Sequence, residues 1–367
     1  MPITTAYSKR CLPDAVEDLK AQCAGCKPRT VIFFASSKFD QTELSRQMQA
    51  AFPDACVAGC STAGEIAGGK MVGESVSAIL LDEEIVRQAA SAVVENLRGG
   101  VWVAGALSKL ERQLHASVAS LDTEKYVGLV LIDGMSGAEE ALMEKLGDLT
   151  DVLFVGGSAG DDMRFRGTQV MLDGKAYDDA AILLILELKR GFDVIKTQSF
   201  RSTGKTLTAT EVDEPRRLVS EFDHKPAIEA YAEALGVPPR EAAALFMKHP
   251  LGLMVDRDPF VRSPQRVDGR GIVFYCQIKQ GMELEVLEAT DLVAHTRQAI
   301  DARKAAAHPI SGIIDFQCIL RTLQLRAENR CGEYGAIFDG IPTAGFSTYG
   351  EAYLGHINQT STILVFR

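Results

Sequence analysis

The chain has 367 residues, 46% of them hydrophobic and 24% charged. With a mass of 39.7 kDa and a mean hydropathy of +0.03, that mixture excludes a disordered chain, a collagen-like repeat and a disulfide mini-fold. Asp+Glu at 49 against Lys+Arg at 39 gives a formal net charge of −10. With no long basic run to offset that charge, nucleic acid is excluded as an expected partner.

The first twenty residues carry Lys9, Arg10, Asp14, Glu17, Asp18 and Lys20, so no uncharged signal-peptide core is present. The longest apolar run, Ala180 to Leu186, stops at Glu187 and is too short for a membrane span. A cytoplasmic location is expected. Five of the eight cysteines fall in the first 60 residues, and Cys23-Ala-Gly-Cys26 has the C-x-x-C spacing that suits one tetrahedral metal or a redox pair. Cys11 is the candidate third zinc ligand; small unmetallated thiols are the plainer alternative. Cys276 and Cys318 sit in apolar surroundings and read as core.

Val31-Ile32-Phe33-Phe34 predicts a buried strand, followed by a helix over 43–52 and a second buried strand over 127–132. Ser136-Gly137-Ala138-Glu139 reads as a capping box opening a helix through Leu146. Runs around Leu183, Ile185, Phe192 and Val194 predict an antiparallel hairpin series. Helices are expected over 215–222, 227–235 and 239–248, then over 291–304. The fold class is mixed α/β (α+β), with two duplicated-looking halves, mixed sheets and an extensive interface. The boundaries place an N-terminal helical, cysteine-containing segment at 1–24, one domain at 25–225 and another at 226–367.

The strongest pattern is an internal echo. Gly59-Cys60-Ser61-Thr62-Ala63-Gly64-Glu65 returns as Gly345-Phe346-Ser347-Thr348-Tyr349-Gly350-Glu351, in the form G-x-S-T-x-G-E. A weaker copy, Gly157-Ser158-Ala159-Gly160-Asp161, follows another strand. Repeats of this kind suggest duplication of a strand–loop–strand unit. Glycines allow close backbone approach, and Ser61, Thr62, Glu65, Ser347, Thr348 and Glu351 offer donors and acceptors to a ligand in a shared cavity. Tight turns with locally satisfied side chains are the alternative.

Other motifs fail on chemistry. Gly59 to Gly64 has phosphate-loop spacing, but Glu65-Ile66 stands where Lys and Ser/Thr are needed. Gly156-Gly157-Ser158-Ala159-Gly160 matches a nucleophile elbow, yet no helix follows Ser158, so a serine hydrolase using Asp315 and His356 stays an alternative and no enzyme is expected. The six histidines form no i, i+4 metal pair. His249 precedes Pro250 at a helix end, and His356 lies between the second loop copy and the terminal strand.

Taken together, Gly59 to Ile66, Phe316-Gln317-Cys318-Ile319-Leu320-Arg321, Gly345 to Glu351 and His356-Ile357-Asn358-Gln359-Thr360 resemble the FIST family of sensory proteins, with an N-type and a C-type domain. The resemblance implies a small-molecule or gas ligand, and adds Asn358 to the candidate ligand-binding residues. No output segment is read in the chain, so the signal is expected to pass to a separate protein. Stand-alone bacterial members resemble NosP-type nitric-oxide-sensing haemoproteins. That likeness implies haem b and iron held by one histidine, first His356 and second His249. The implied partner is a sensor histidine kinase of a two-component system or a cyclic-di-GMP enzyme, with a homo-oligomer as a further expectation. A polar metabolite such as an amino acid, sensed without haem, is the alternative.

Overall fold

Unbroken apolar runs need cover on both faces, and parallel neighbours need a crossover, which together favour strands sandwiched by helices. The computed structural model describes residues 2–256 and 258–367. It is a mixed α+β protein that divides into two compact units. Unit 1 takes the chain up to Thr197, then Thr296–His356 and Ser361–Arg367; unit 2 takes Gln198–His295 and Ile357–Thr360.

Unit 1, with the ends of four elements that run on into unit 2, repeats one order three times among the described residues: strand, helix, strand, helix, strand, short hairpin, strand. Module I runs Ile3–Ser8, Asp14–Gln22, Pro28–Ser36, Gln41–Ala51, Cys56–Thr62, the hairpin Glu65–Ala67 with Lys70–Val72, and Val76–Asp82. Module II runs Val86–Glu95, Ala104–Leu114, Tyr126–Ile132, Glu139–Leu149, Phe154–Ser158, the hairpin Val170–Leu172 with Lys175–Tyr177, and Ala180–Leu188. Module III runs Phe192–Gln198, Leu292–Lys304, Gly312–Cys318, Ile319–Ala327, Thr343–Thr348, the hairpin Glu351–Tyr353 with His356–Ile357, and Thr360–Phe366.

Each module pairs its third strand parallel to its second, across the intervening helix. Each then sends its hairpin to another module. Glu65–Ala67 pairs with Thr343–Thr348, Glu351–Tyr353 with Phe154–Ser158, and Val170–Leu172 with Cys56–Thr62. The exchange is cyclic, from I to III to II and back to I, so each six-stranded sheet borrows two strands from a neighbour. Side chains from all three modules share one core, where Phe34 stacks on Phe346 at 4.8 Å and Phe316 meets both edge-on.

Unit 2 is an antiparallel sheet packed by the helix Ala227–Leu235, with Phe222, Phe274 and Tyr231 in its core. Several expectations are corrected here. Residues 215–222 form no helix: Leu218–Phe222 is a strand, because Val219 pairs opposite Val212 and tertiary pairing overrides a weak helical pattern. Ala180–Leu188 and Phe192–Gln198 do not make a hairpin, since the first lies between Val86–Glu95 and Tyr126–Ile132 and the second borders Thr360–Phe366. Ser136 does not cap the helix Glu139–Leu149; its hydroxyl accepts from the Ala138 N–H, and Ala138 occupies the N-cap.

The two units divide at 197/198, 295/296, 356/357 and 360/361. All four crossings run inside regular elements, the strands Phe192–Gln198, His356–Ile357 and Thr360–Phe366 and the helix Leu292–Lys304, which is why no linker composition marks them. No helix among the described residues is long and apolar enough to cross a membrane.

Candidate functional site

The two G-x-S-T-x-G-E loops both lie in unit 1, and their strand ends pair with each other. The strand register aligns Gly59, Gly156 and Gly345, each opposite Phe33, Val130 or Asp315 of the parallel neighbour. A Cβ at Gly156 would stand 1.8 Å from the Val130 carbonyl oxygen, and one at Gly345 2.1 Å from that of Asp315. The glycines are therefore a steric requirement of the ladder. Two residues on, Ser61, Ser158 and Ser347 close a ring. Ala63 N–H donates to the Ser347 carbonyl (3.3 Å), Tyr349 N–H to that of Ser158 (3.1 Å) and Gly160 N–H to that of Ser61 (2.9 Å).

The polar side chains of this hub are bonded close at hand. Glu65 is buried; its Oε1 accepts from Thr62 Oγ1 at 2.5 Å and its Oε2 accepts from the N–H and hydroxyl of Ser75. Burial pushes the Glu65 carboxyl up to about 7, against the pull of those three donors. Thr348 Oγ1 donates to Glu351 Oε1 (3.0 Å), Ser347 Oγ lies 2.8 Å from Thr322 Oγ1, and Ser61 Oγ accepts from the Gln169 N–H (2.9 Å). Ser158 Oγ donates to Glu139 Oε1 at 3.3 Å, and Asp315 accepts from Tyr334 and Ser361. A Ser158–His356–Asp315 relay is thus not what these groups build.

The histidines differ in a way the sequence did not disclose. His356 is 4% exposed, and a Cβ at Gly350 would meet its ring at 2.1 Å from Cε1 and 2.7 Å from Nε2. The backbone of Gly350 covers the ring edge that an iron would need. His249, half-buried in unit 2, sets Nδ1 3.1 Å from the Leu287 carbonyl oxygen. A carbonyl only accepts, so Nδ1 carries the proton and Nε2 of the neutral ring is the lone-pair nitrogen, the arrangement that orients metal-binding imidazoles.

The segment Ile357–Thr360 belongs to unit 2, where Gln359 fixes it: Ser263 Oγ donates to Gln359 Oε1 (2.7 Å) and Gln359 Nε2 donates to the Met247 carbonyl (3.0 Å). Asn358 beside it is 1% exposed, yet neither its Oδ1 nor its Nδ2 has a hydrogen-bond partner. Buried amides are nearly always paired, so this one calls for an explanation.

The thiols do not assemble as a three-ligand set. Cys11 is exposed, Cys23 is buried in an apolar cluster, and Cys26 shares a 3.2 Å contact with Thr4 Oγ1. Burial and the neighbouring Cys26 push the Cys23 thiol up to about 11, away from the thiolate that zinc binds. Among the described residues no three His, Cys, Asp or Glu side chains converge as a metal site. Cys276 and Cys318 are core residues, as the sequence predicts.

The FIST N domain model matches residues 29–225 and the FIST C domain model residues 227–353. Their junction falls within unit 2, between Leu218–Phe222 and Ala227–Leu235. The chain is also similar to the uncharacterized protein MJ1623 of Methanocaldococcus jannaschii, at 24% identity over 296 residues, 76% of this chain and 57% of that protein. It therefore spans little more than half the length of the curated relative it matches. FIST domains have a sensory signalling role, and with both models matched in order along its length, this chain belongs to the FIST family.

Proposed function

We propose that this FIST protein senses a small polar metabolite, an amino acid or amide, through Asn358 and passes its occupancy by contact to a separate signalling partner. The observation that carries the reading is the buried, unpartnered amide of Asn358. An amide presents one acceptor and two donors in a plane, so its complement is a ligand with adjacent donor and acceptor groups. Gln359, clamped to Ser263 and Met247, holds the neighbouring backbone so that Asn358 is positioned before the ligand arrives. Occupancy that favours one conformation of unit 2 would shift its population, and a sensor histidine kinase or cyclic-di-GMP enzyme is the proposed reader.

A second reading, a haem-based nitric oxide sensor, is favoured by His249 rather than His356. His249 would hold haem through Nε2, with Leu287 fixing the ring through Nδ1. Haem b, when bound, supplies an iron with an open position for a diatomic gas. His356 does not fit that part, because Gly350 covers its ring edge.

One pair of measurements separates the readings. Thermal shift against the twenty amino acids is expected to raise the melting temperature for one or a few of them, and the rise is lost in Asn358→Leu. An ultraviolet–visible spectrum after haem loading is expected to show protein absorption alone. A stoichiometric Soret band that moves with nitric oxide and vanishes in His249→Ala would replace the first reading with the second.

A further inference from the structure

The helix Ile319–Ala327 of unit 1 begins in the protein interior without a cap. Cys318 at the N-cap position makes no side-chain capping hydrogen bond, and Ile319, Leu320 and Arg321 in the first turn are all buried. The first N–H groups of any helix lack an intrahelical acceptor, so a buried, uncapped start concentrates partial positive charge where water does not reach.

A full charge sits at the same end. Helical side chains lean toward the N-terminus, which carries the Arg321 guanidinium back over the start of its own helix. There its Nε lies 3.4 Å from Gln317 Oε1, and its Nη2 donates to Thr296 Oγ1 at 2.8 Å and reaches Thr197 Oγ1 at 3.5 Å. Its face lies 6.0 Å over the Tyr334 ring. Arg321 is 1% exposed, it makes no ion pair among the described residues, and its Nη1 is buried without any partner. The nearby carboxylate of Asp315 is taken by Tyr334 and Ser361. A guanidinium withdrawn from water, with one nitrogen unpartnered and only the already engaged Asp315 carboxylate acting on its charge, is a costly arrangement, and a helix start beside it compounds the same sign of charge.

We infer that Arg321 Nη1 and the first-turn N–H groups of Ile319–Ala327 form a binding site for a small oxyanion of carboxylate or phosphate chemistry. Helix N-termini accept such anions, and arginine is the side chain that pairs with them most directionally. The hydroxyls of Thr197 and Thr296, 3.4 Å apart, stand on the same guanidinium. Thr197 and Thr296 are the residues of unit 1 that flank the long excursion Gln198–His295. The site is independent of Asn358.

The test is thermal unfolding of the full chain in rising potassium formate or inorganic phosphate, with ionic strength held constant by potassium chloride. A rise of about 2 °C or more that saturates is expected with at least one of the two. Formate alone would identify a carboxylate site, phosphate alone a phosphate site. The rise should disappear in Arg321→Met and persist in Asn358→Leu. A response unchanged in Arg321→Met, or no response to either anion, overturns the site. Should Arg321→Met fail to fold, line broadening of phosphorus-31 or carbon-13 formate resonances by the unmodified protein decides it, and sharp lines for both overturn the inference.

Discussion

The hub of unit 1 and the Ile357–Thr360 segment of unit 2 treat buried polar groups in opposite ways. At the hub the chain arrives at one solution three times: a glycine against a neighbouring carbonyl, then a serine whose own carbonyl closes a ring. Around it Glu65 accepts from three donors, and Thr348 caps Glu351. At Asn358, whose equivalents in the other two modules are Gly73 and Asp178, an amide is buried with both ends open. Repetition here accompanies chemistry that closes on itself, as a three-fold architecture requires of each copy. Asn358 carries an amide where its equivalents are Gly73 and Asp178, and the proposed ligand would complete its hydrogen bonds.

The largest effect should come from breaking the repeat. In Gly156→Ala the new Cβ would lie 1.8 Å from the Val130 carbonyl oxygen, inside a parallel ladder that cannot retreat without losing its hydrogen bonds. Overpacking against backbone costs about 3 kcal/mol, and Gly345→Ala should behave alike. Gly147→Ala, on an exposed helical position with nothing within 4 Å, should be neutral or stabilising by about 0.5 kcal/mol. Urea unfolding of the three variants checks this. Equal loss at positions 156 and 147 would remove the steric account of the repeat.

Next in size is a pH effect confined to the hub. The Glu65 carboxyl titrates at about 7 in the folded protein against 4.5 when unfolded. Between those values the native state holds more protons than the unfolded state, so stability falls as pH rises from 4.5 through 7. The full loss at pH 8 is roughly 3 kcal/mol. Glu65→Gln should match the parent near pH 4.5, exceed it at pH 8, and flatten the curve between. The difference between the two curves isolates Glu65 from Asp315, whose carboxyl burial also raises, to about 6. Parallel curves would mean that the hub carboxylate is already solvated.

How much of this could be read in the sequence follows from the same contrast. Buried strands at 31–34 and 127–132, the helix near 291–304 and the twin loops all leave local traces, because apolar runs and glycines are dictated by near neighbours. The third copy is faint because Ala159 replaces the threonine and the strand register puts Val170 opposite Cys60, where Glu65 faces Phe346 and Glu351 faces Gly157. Cyclic hairpin exchange leaves no mark at all, since a three-residue strand such as Glu65–Ala67 carries no information about which sheet it joins. The insertion of unit 2 inside a strand and a helix removed the linker that composition could have shown. Arg321 lay within the Phe316 to Arg321 motif without a role, because burial of a charge is invisible in one dimension. His249 and His356 were separable only by what faces each ring.

The smallest effect bears most directly on function. Leucine shares asparagine's branched, four-heavy-atom outline, with bulkier ends and no polar atoms, so Asn358→Leu removes unsatisfied donors and an unsatisfied acceptor while leaving no void. Replacing a buried polar group that lacks partners is worth about 1–2 kcal/mol, in the stabilising direction. The variant should therefore unfold at higher urea than the parent when no ligand is added, an unusual sign for a buried polar substitution. Added amino acid should then narrow or reverse the gap, because only the parent gains from binding. Asn358→Asp tests the same point from the other side: a charge placed there without a partner should destabilise more than leucine stabilises. If Asn358→Leu instead unfolds at lower urea, the amide is serving the fold, and the contrast between the closed hub and the open segment is lost.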